Sequence, residues 1–207
     1  MTSYSIRKVN ADNPAEIDRL YEICLLTGDS GKDASDLYTD PRLIGELYVG
    51  AYPTYHPEFC FVLVDENDVP VGYTVGVPDS VAFDAQLDAT WWPPLREKYS
   101  AAEFPADSKD AGLVQTLMNW GHTNTELAAE YPAHLHIDIL PEAQGGGNGK
   151  KLLFTLIDAF RDAGIKGFHL GVGGTNENAI GFYQHVGLEV VVDHEWGKTM
   201  GMHLTKD

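Results

Sequence analysis

The sequence predicts an α/β fold in which helices cover both faces of a mixed sheet. Three observations carry that expectation. Apolar runs of strand length alternate with runs of helical period along most of the chain. The segment Gln144-Gly-Gly-Gly-Asn-Gly-Lys150 joins a strand-like run to a strongly periodic helical one, as a strand-to-helix turn does. Hydrophobic residues make up 43% of the 207 positions, enough for a sizeable core.

Residues 4–9 read as a first strand. A helix start follows at Asn13-Pro14-Ala15-Glu16, with Asn13 as cap, Pro14 at the first helical position and Glu16 reaching back to the cap. Ile17, Leu20, Tyr21 and Cys24 then share one helical face. Asp40-Pro41 opens a second helix, through about Val49. Residues 58–65 and 70–77 read as two strands around the turn Glu66-Asn67-Asp68, a hairpin. Residues 80–131 are irregular, with short helices expected near 83–90 and 109–120. Residues 133–140 form the next strand. Leu152, Leu153, Leu156, Ile157 and Phe160 mark one side of the helix after the glycine turn. A strand at 167–172, a helix at 176–185 and strands at 188–196 and 198–204 close the chain. One domain spanning 1–207 is expected, with 80–131 as a helical insertion.

The chain carries 14 Lys and Arg against 31 Asp and Glu, a net charge of −17. Such a surface repels nucleic acid and anionic membrane, and attracts a cationic amine. An equally good reading is a surface built for solubility. No run is long or apolar enough to span a membrane as a helix. The first residues, Met-Thr-Ser-Tyr-Ser-Ile-Arg, contain no apolar signal segment. Cys24 and Cys60 have neither metal nor redox spacing and read as reduced core thiols. The expected location is the cytoplasm.

A glycine-rich turn opening a helix is an anion site, because free N–H groups converge there and the helix dipole adds about half a positive charge. Three phosphate-loop patterns compete. A Walker loop fails twice: Gln144 stands at its first glycine and Lys151 at its magnesium-binding hydroxyl. A dinucleotide fingerprint does not fit the spacing of Gly145, Gly147 and Asn148, and Gly171-Val-Gly-Gly174 meets Asn176 where its last glycine should be. The third pattern, Gln/Arg-x-x-Gly-x-Gly/Ala, is met by Gln144, Gly147 and Gly149. The rival reading is a surface loop without a ligand.

This third pattern resembles the acyl-coenzyme A loop of the GNAT (GCN5-related) N-acetyltransferases. A second signature of that family, Asn-x-x-Ala-x-x-Phe-Tyr followed by Gly and an apolar residue, is similar to Asn176, Ala179, Phe182, Tyr183, Gly187 and Leu188. The resemblance spans nearly the whole chain and implies a mostly antiparallel seven-stranded sheet. The segment 80–131 is much longer than the family's usual connection between the third and fourth strands. Further stretches resemble the C-terminal acetyltransferase-like domain of eukaryotic O-GlcNAcase: Pro41-Arg-Leu-Ile-Gly-Glu-Leu-Tyr-Val-Gly50, Pro57-Glu-Phe-Cys-Phe-Val-Leu63 and Trp92-Pro-Pro-Leu-Arg-Glu-Lys-Tyr99.

The resemblance implies transfer of an acetyl group from acetyl-CoA, as co-substrate, directly to a primary amine, with no metal. Main-chain groups of Ile139 and Leu140 would hold the pantetheine arm, and those of Gly145, Gly146, Gly147, Asn148, Gly149 and Lys150 the pyrophosphate. Gln144, Asn176 and Phe182 complete the coenzyme site, and Tyr183 would lie near the coenzyme sulfur as general acid. A protonated phenol can donate to a thiolate; the competing reading has Tyr183 only packing beside Phe182. His134, His136 and Asp138 alternate with apolar residues and so share one face of their strand. Asp138 is the candidate base, since a carboxylate on this strand is a common family arrangement. Other readings are that Asp138 fixes a histidine, that the histidines are satisfied core residues, or that the triplet ligates a metal. Trp91, Trp92, Tyr99, Phe104 and Trp120 read either as walls of a substrate pocket or as the insertion's own core. The alternative to an enzyme is an inactive acetyl-CoA-binding or protein-interaction module. The resemblance also allows a homodimer.

Overall fold

The computed structural model describes residues 3–204; Met1 and Thr2, which begin the stretch read as lacking a signal segment, lie outside them. Seven strands form one sheet: β1 Ser5–Lys8, β2 Cys60–Val64, β3 Pro70–Val77, β4 Ala133–Ile139, β5 Gly167–Gly173, β6 Glu189–Asp193 and β7 Gly197–His203. Their spatial order is β1-β2-β3-β4-β5-β7-β6. Every pairing is antiparallel except β4 with β5. The expected mixed, mostly antiparallel sheet is therefore what the chain builds.

The helices lie on both faces. α1 (Pro14–Leu26) begins as its sequence dictates: Asn13 accepts the N–H of Ala15, and Pro14 stands where no donor is needed. Glu16 departs from expectation. Its carboxylate takes the N–H of Asn10 and a bidentate pair from Arg7 at 2.9 Å, tying α1 to β1 rather than closing a capping box. α2 (Leu43–Tyr48) starts later than expected, and α3 (Ala51–Tyr55) was not anticipated. Its Pro53 sits in the first turn, where a missing N–H costs nothing. α1 and α3 pack on the face of the sheet that carries Tyr73, Val75 and Val77.

The opposite face belongs to α8 (Asn148–Asp162), which buries the expected stripe Leu152, Leu153, Leu156, Ile157 and Phe160. Gly76 of β3 admits that stripe, since a Cβ there would meet Phe160 at 2.7 Å. α9 (Glu177–His185) follows β5, capped by Asn176.

Segment 80–131 holds four helices: α4 Ser80–Gln86, α5 Trp92–Ser100, α6 Lys109–Met118 and α7 Thr125–Glu130. It is fastened to the α2 region by polar groups. The buried carboxylate of Asp110 accepts the N–H groups of Thr39 and Asp40 at the approach to α2. Lys98 pairs with Glu46 at 3.0 Å, and the indole of Trp91 donates to the carbonyl of Glu46. Of the insertion's candidate wall aromatics, Trp92 and Tyr99 are buried as core, while Trp91, Phe104 and Trp120 are half-buried against it. Cys24 and Cys60 are buried and unpaired, and burial pushes both thiols well above their ordinary range.

Candidate active site

The site begins with a parting of two strands. β4 runs beside β3 over its whole length, from Val77↔His134 to Gly72↔Ile139. Its parallel pairing with β5 covers only Ala133↔Phe168 and His134↔His169. Beyond that point β5 stays with β7, and β4 keeps one edge free. Main-chain groups alternate in direction along an antiparallel strand. The N–H of Leu140 donates to Val71, so Leu140, Asp138 and His136 face β3, while Ile139 and Ile137 face the gap. The N–H groups of Ile137 and Ile139 thus form the free edge, and the backbone of Leu140 is engaged on both sides, its carbonyl accepting from Ala143. The carbonyl of Ile139 accepts from the side chain of Gln144, which pins the glycine turn to the strand.

Gly145, Gly146 and Gly147 all have left-handed backbones, with φ of 82°, 58° and 80°. Only glycine takes three such angles in succession without strain. A Cβ at any of the three would meet open space, so the requirement is conformational and leaves the surface free for a ligand. Asn148 is held internally, its N–H to Gly145 and its side chain to Ala143. No side chain caps α8. Among the described residues the N–H groups of Gly146, Gly147, Gly149 and Lys150 have no protein acceptor, and they gather where the dipole of a 15-residue helix is positive.

The second motif closes on the first. Phe182 lies against Gly149, whose added Cβ would meet the ring at 3.4 Å. Asn176 spends its side-chain oxygen on the N–H of Ala179, as helix cap. Tyr183 is buried beside Phe182, and burial, with Asp138 adding to it, pushes its phenol well above the usual range. Asp138 accepts a 2.5 Å hydrogen bond from Tyr73, directly across on β3. Burial raises its carboxyl above the ordinary value, opposed by the hydrogen bond of Tyr73.

On the α1–α3 face, a cavity of about 380 Å³ opens at the point where β4 and β5 part. Its floor carries His134, His136 and His169; Tyr48, Tyr52 and Trp120 are among its aromatic walls. Asp138 and Tyr183 do not line it. The insertion supplies Trp120 and Asp84, and Trp196 of the β6–β7 turn stands over Gly171 at the rim.

The three histidines differ in what they can do. His134 is saturated. Nδ1 of His134 is hydrogen-bonded to the Ser80 hydroxyl and Nε2 to the Tyr52 hydroxyl, each at 2.7 Å, so one ring nitrogen donates and the other accepts. It is a core histidine, and its use at both nitrogens removes it from any metal set. Among the described residues no group of three His, Cys, Asp or Glu side chains converges as a metal would require. His169 donates through Nδ1 to the carbonyl of Tyr131 at 2.8 Å, which leaves Nε2 as a lone pair without a partner. The ring of His136 makes no hydrogen bond among the described residues; burial, then His169, lowers it to about 4. All three are held neutral. His169, Asp84 and the Ile137 edge were not found from sequence; the one local sign was a lone histidine inside the apolar run 167–172.

Comparison with known proteins agrees with this geometry. The model of the acetyltransferase (GNAT) family matches residues 31–188. Rat protein O-GlcNAcase is 25% identical over 189 residues, covering 89% of this chain but 20% of its own length, so the chain spans about a fifth of that relative. The L-amino acid N-acyltransferase MnaT of Escherichia coli is 25% identical over 132 residues, covering 63% of this chain and 74% of its own. The crystal structure of SsHAT superposes with a TM-score of 0.86 at 30% identity, covering 99% of this chain and 100% of that one.

Proposed function

We propose, from the premise that the chain belongs to the acetyltransferase (GNAT) family, that it transfers an acetyl group from acetyl-CoA directly to a primary amine. One observation carries the reading: an unpaired β4 edge leads straight into three left-handed glycines with free N–H groups at a helix start. An extended amide-bearing arm can lie along the edge and a pyrophosphate can sit in the turn. The residues present suit acetyl-CoA on both counts.

Acetyl-CoA supplies a thioester-activated acetyl group, and this chain's residues do the remainder. The N–H of Ile137 or Ile139 points into the gap and polarises the carbonyl, a contribution of about 3 kcal/mol for one well-placed donor. Tyr183 stays protonated through neutral pH because it is buried, and it gives its proton to the departing sulfur. Asp138, raised by burial and steadied by Tyr73, lies behind the cavity lining and takes the proton lost by the amine through water. A second reading of the base rests on His169, whose Nδ1 is oriented by a carbonyl and whose Nε2 has no partner, the arrangement of a positioned base. The cavity at the strand split receives the acceptor.

The test is calorimetric titration with acetyl-CoA, beside a Gly147→Asp variant. At φ 80° a side chain is strained, and the added carboxylate repels phosphate. Micromolar binding that the variant loses, followed by thiol release in the presence of amines, is expected. Binding without thiol release across an amine panel would favour an inactive coenzyme-binding module, and no binding by folded protein would remove the coenzyme assignment.

A further inference from the structure

Asp84 of α4 is a buried carboxylate without a counter-charge. Its residue is 8% exposed and lines the cavity. One oxygen accepts the N–H of Thr123 at 2.6 Å; the other has no hydrogen bond from the described residues. The insertion's nearby basic groups go elsewhere: Arg96 lies 3.9 Å from Asp88, and the His122 ring lies 2.6 Å from it. No lysine or arginine lines the cavity; of its four lining histidines, His134, His136 and His169 are neutral imidazoles and His122 is paired with Asp88. Desolvating a carboxylate without a counter-charge is costly, and the oxygen left free here opens to the cavity, where a ligand cation can meet it. The walls agree, since Tyr48, Tyr52 and Trp120 offer ring faces to an ammonium and to an apolar spacer.

We propose that Asp84 selects acceptors bearing a second cationic group, so that the substrate class is a diamine or an amine carrying another base, without a carboxylate. The inference rests on the acetyl-transfer reading given above. The reacting nitrogen must be neutral to attack, so the charge Asp84 recognises belongs to another group of the same molecule. Asp84 comes from the insertion, whereas the free edge belongs to β4, so the recognition group and the reacting one are supplied by different elements of the same cavity. A carboxylate in place of that cation would face Asp84 with no lysine or arginine among the lining residues.

Three probes of equal length test this: hexamethylenediamine, hexylamine and aminocaproate, which differ only at the far end. Each is followed by acetyl transfer and, with coenzyme A present, by calorimetric binding. A charge-assisted hydrogen bond predicts a preference of about 10- to 100-fold for the diamine over hexylamine, with aminocaproate weakest. In Asp84→Asn, which can still accept the Thr123 N–H, the diamine-to-monoamine ratio falls to near one. In Asp84→Lys the order of diamine and aminocaproate reverses. An unchanged ratio in Asp84→Asn, or equal binding of all three probes by the wild type, overturns the proposal. If none is acetylated but the diamine binds in this order, the transfer reading fails while the recognition role stands; binding of none of the three overturns it.

Discussion

His136 gives a prediction whose magnitude follows from its surroundings. Its ring lies among Tyr48, Tyr52 and His134 and has no hydrogen-bond partner. Burial lowers it from 6.5 to about 4. A depressed folded value means that the unfolded chain binds the proton more readily. Stability is therefore full above about 6.5 and is lost as pH falls toward 4. The full difference is about 3.4 kcal/mol, since 2.5 units at 1.36 kcal/mol each separate the two states. Between about pH 7 and about pH 5 the same relation gives a loss of about 2 kcal/mol. His136→Phe keeps a ring of similar size and removes the titration. Urea unfolding followed by tryptophan fluorescence, at both pH values, measures the loss in each protein. His134 and His169 are present in both and largely drop out of the difference. The wild type is expected to lose about 2 kcal/mol more than the variant over that interval. Equal losses would refute the claim that His136 is held neutral by burial, and with it the description of the cavity floor as uncharged.

The proton-transfer assignments make two further predictions. Asp138→Asn is expected to lower kcat/KM about 100-fold or more near pH 7 while leaving the affinity for acetyl-CoA unchanged; if His169→Gln causes that loss and Asp138→Asn does not, the base is His169. Tyr183→Phe is expected to lower kcat about 10-fold or more with coenzyme binding intact, and wild-type turnover in that variant would remove Tyr183 as the acid.

Local chemistry was legible where one residue decides. Asn13 with Pro14, the apolar stripe of α8, the antiparallel pair β2 and β3 and the punctuation at Gly145 to Gly149 each depend on a few neighbours in sequence. Glu16 was misread because its partners, Arg7 and Asn10, compete with the cap it could equally have served. α3 escaped notice because Pro53 reads as a breaker unless the first turn is already located. The shared face of His134, His136 and Asp138 followed from strand alternation. What separates their roles did not: Ser80 and Tyr52, which saturate His134, lie 54 and 82 residues away. The parting of β4 from β5 was equally hidden, because a strand's own residues do not state how far its neighbour accompanies it. Asp84 is one acid among 31 acidic residues in the sequence, and only burial singles it out.

The net charge of −17 works against a coenzyme that is itself an anion. The fold answers this locally. On the α8 side, unpaired N–H groups at the helix start make a positive spot that needs no basic side chain. On the α1–α3 side, the cavity is lined by no lysine or arginine and holds His134, His136 and His169 neutral. The strand split joins these two environments, and its free edge lies between them. A negative donor and a positive acceptor can then meet at one gap, each drawn by its own side, while the acidic surface favours only the acceptor. Charge summed over the chain therefore speaks for the acceptor, and the coenzyme's place is set by main-chain dipoles that no composition records.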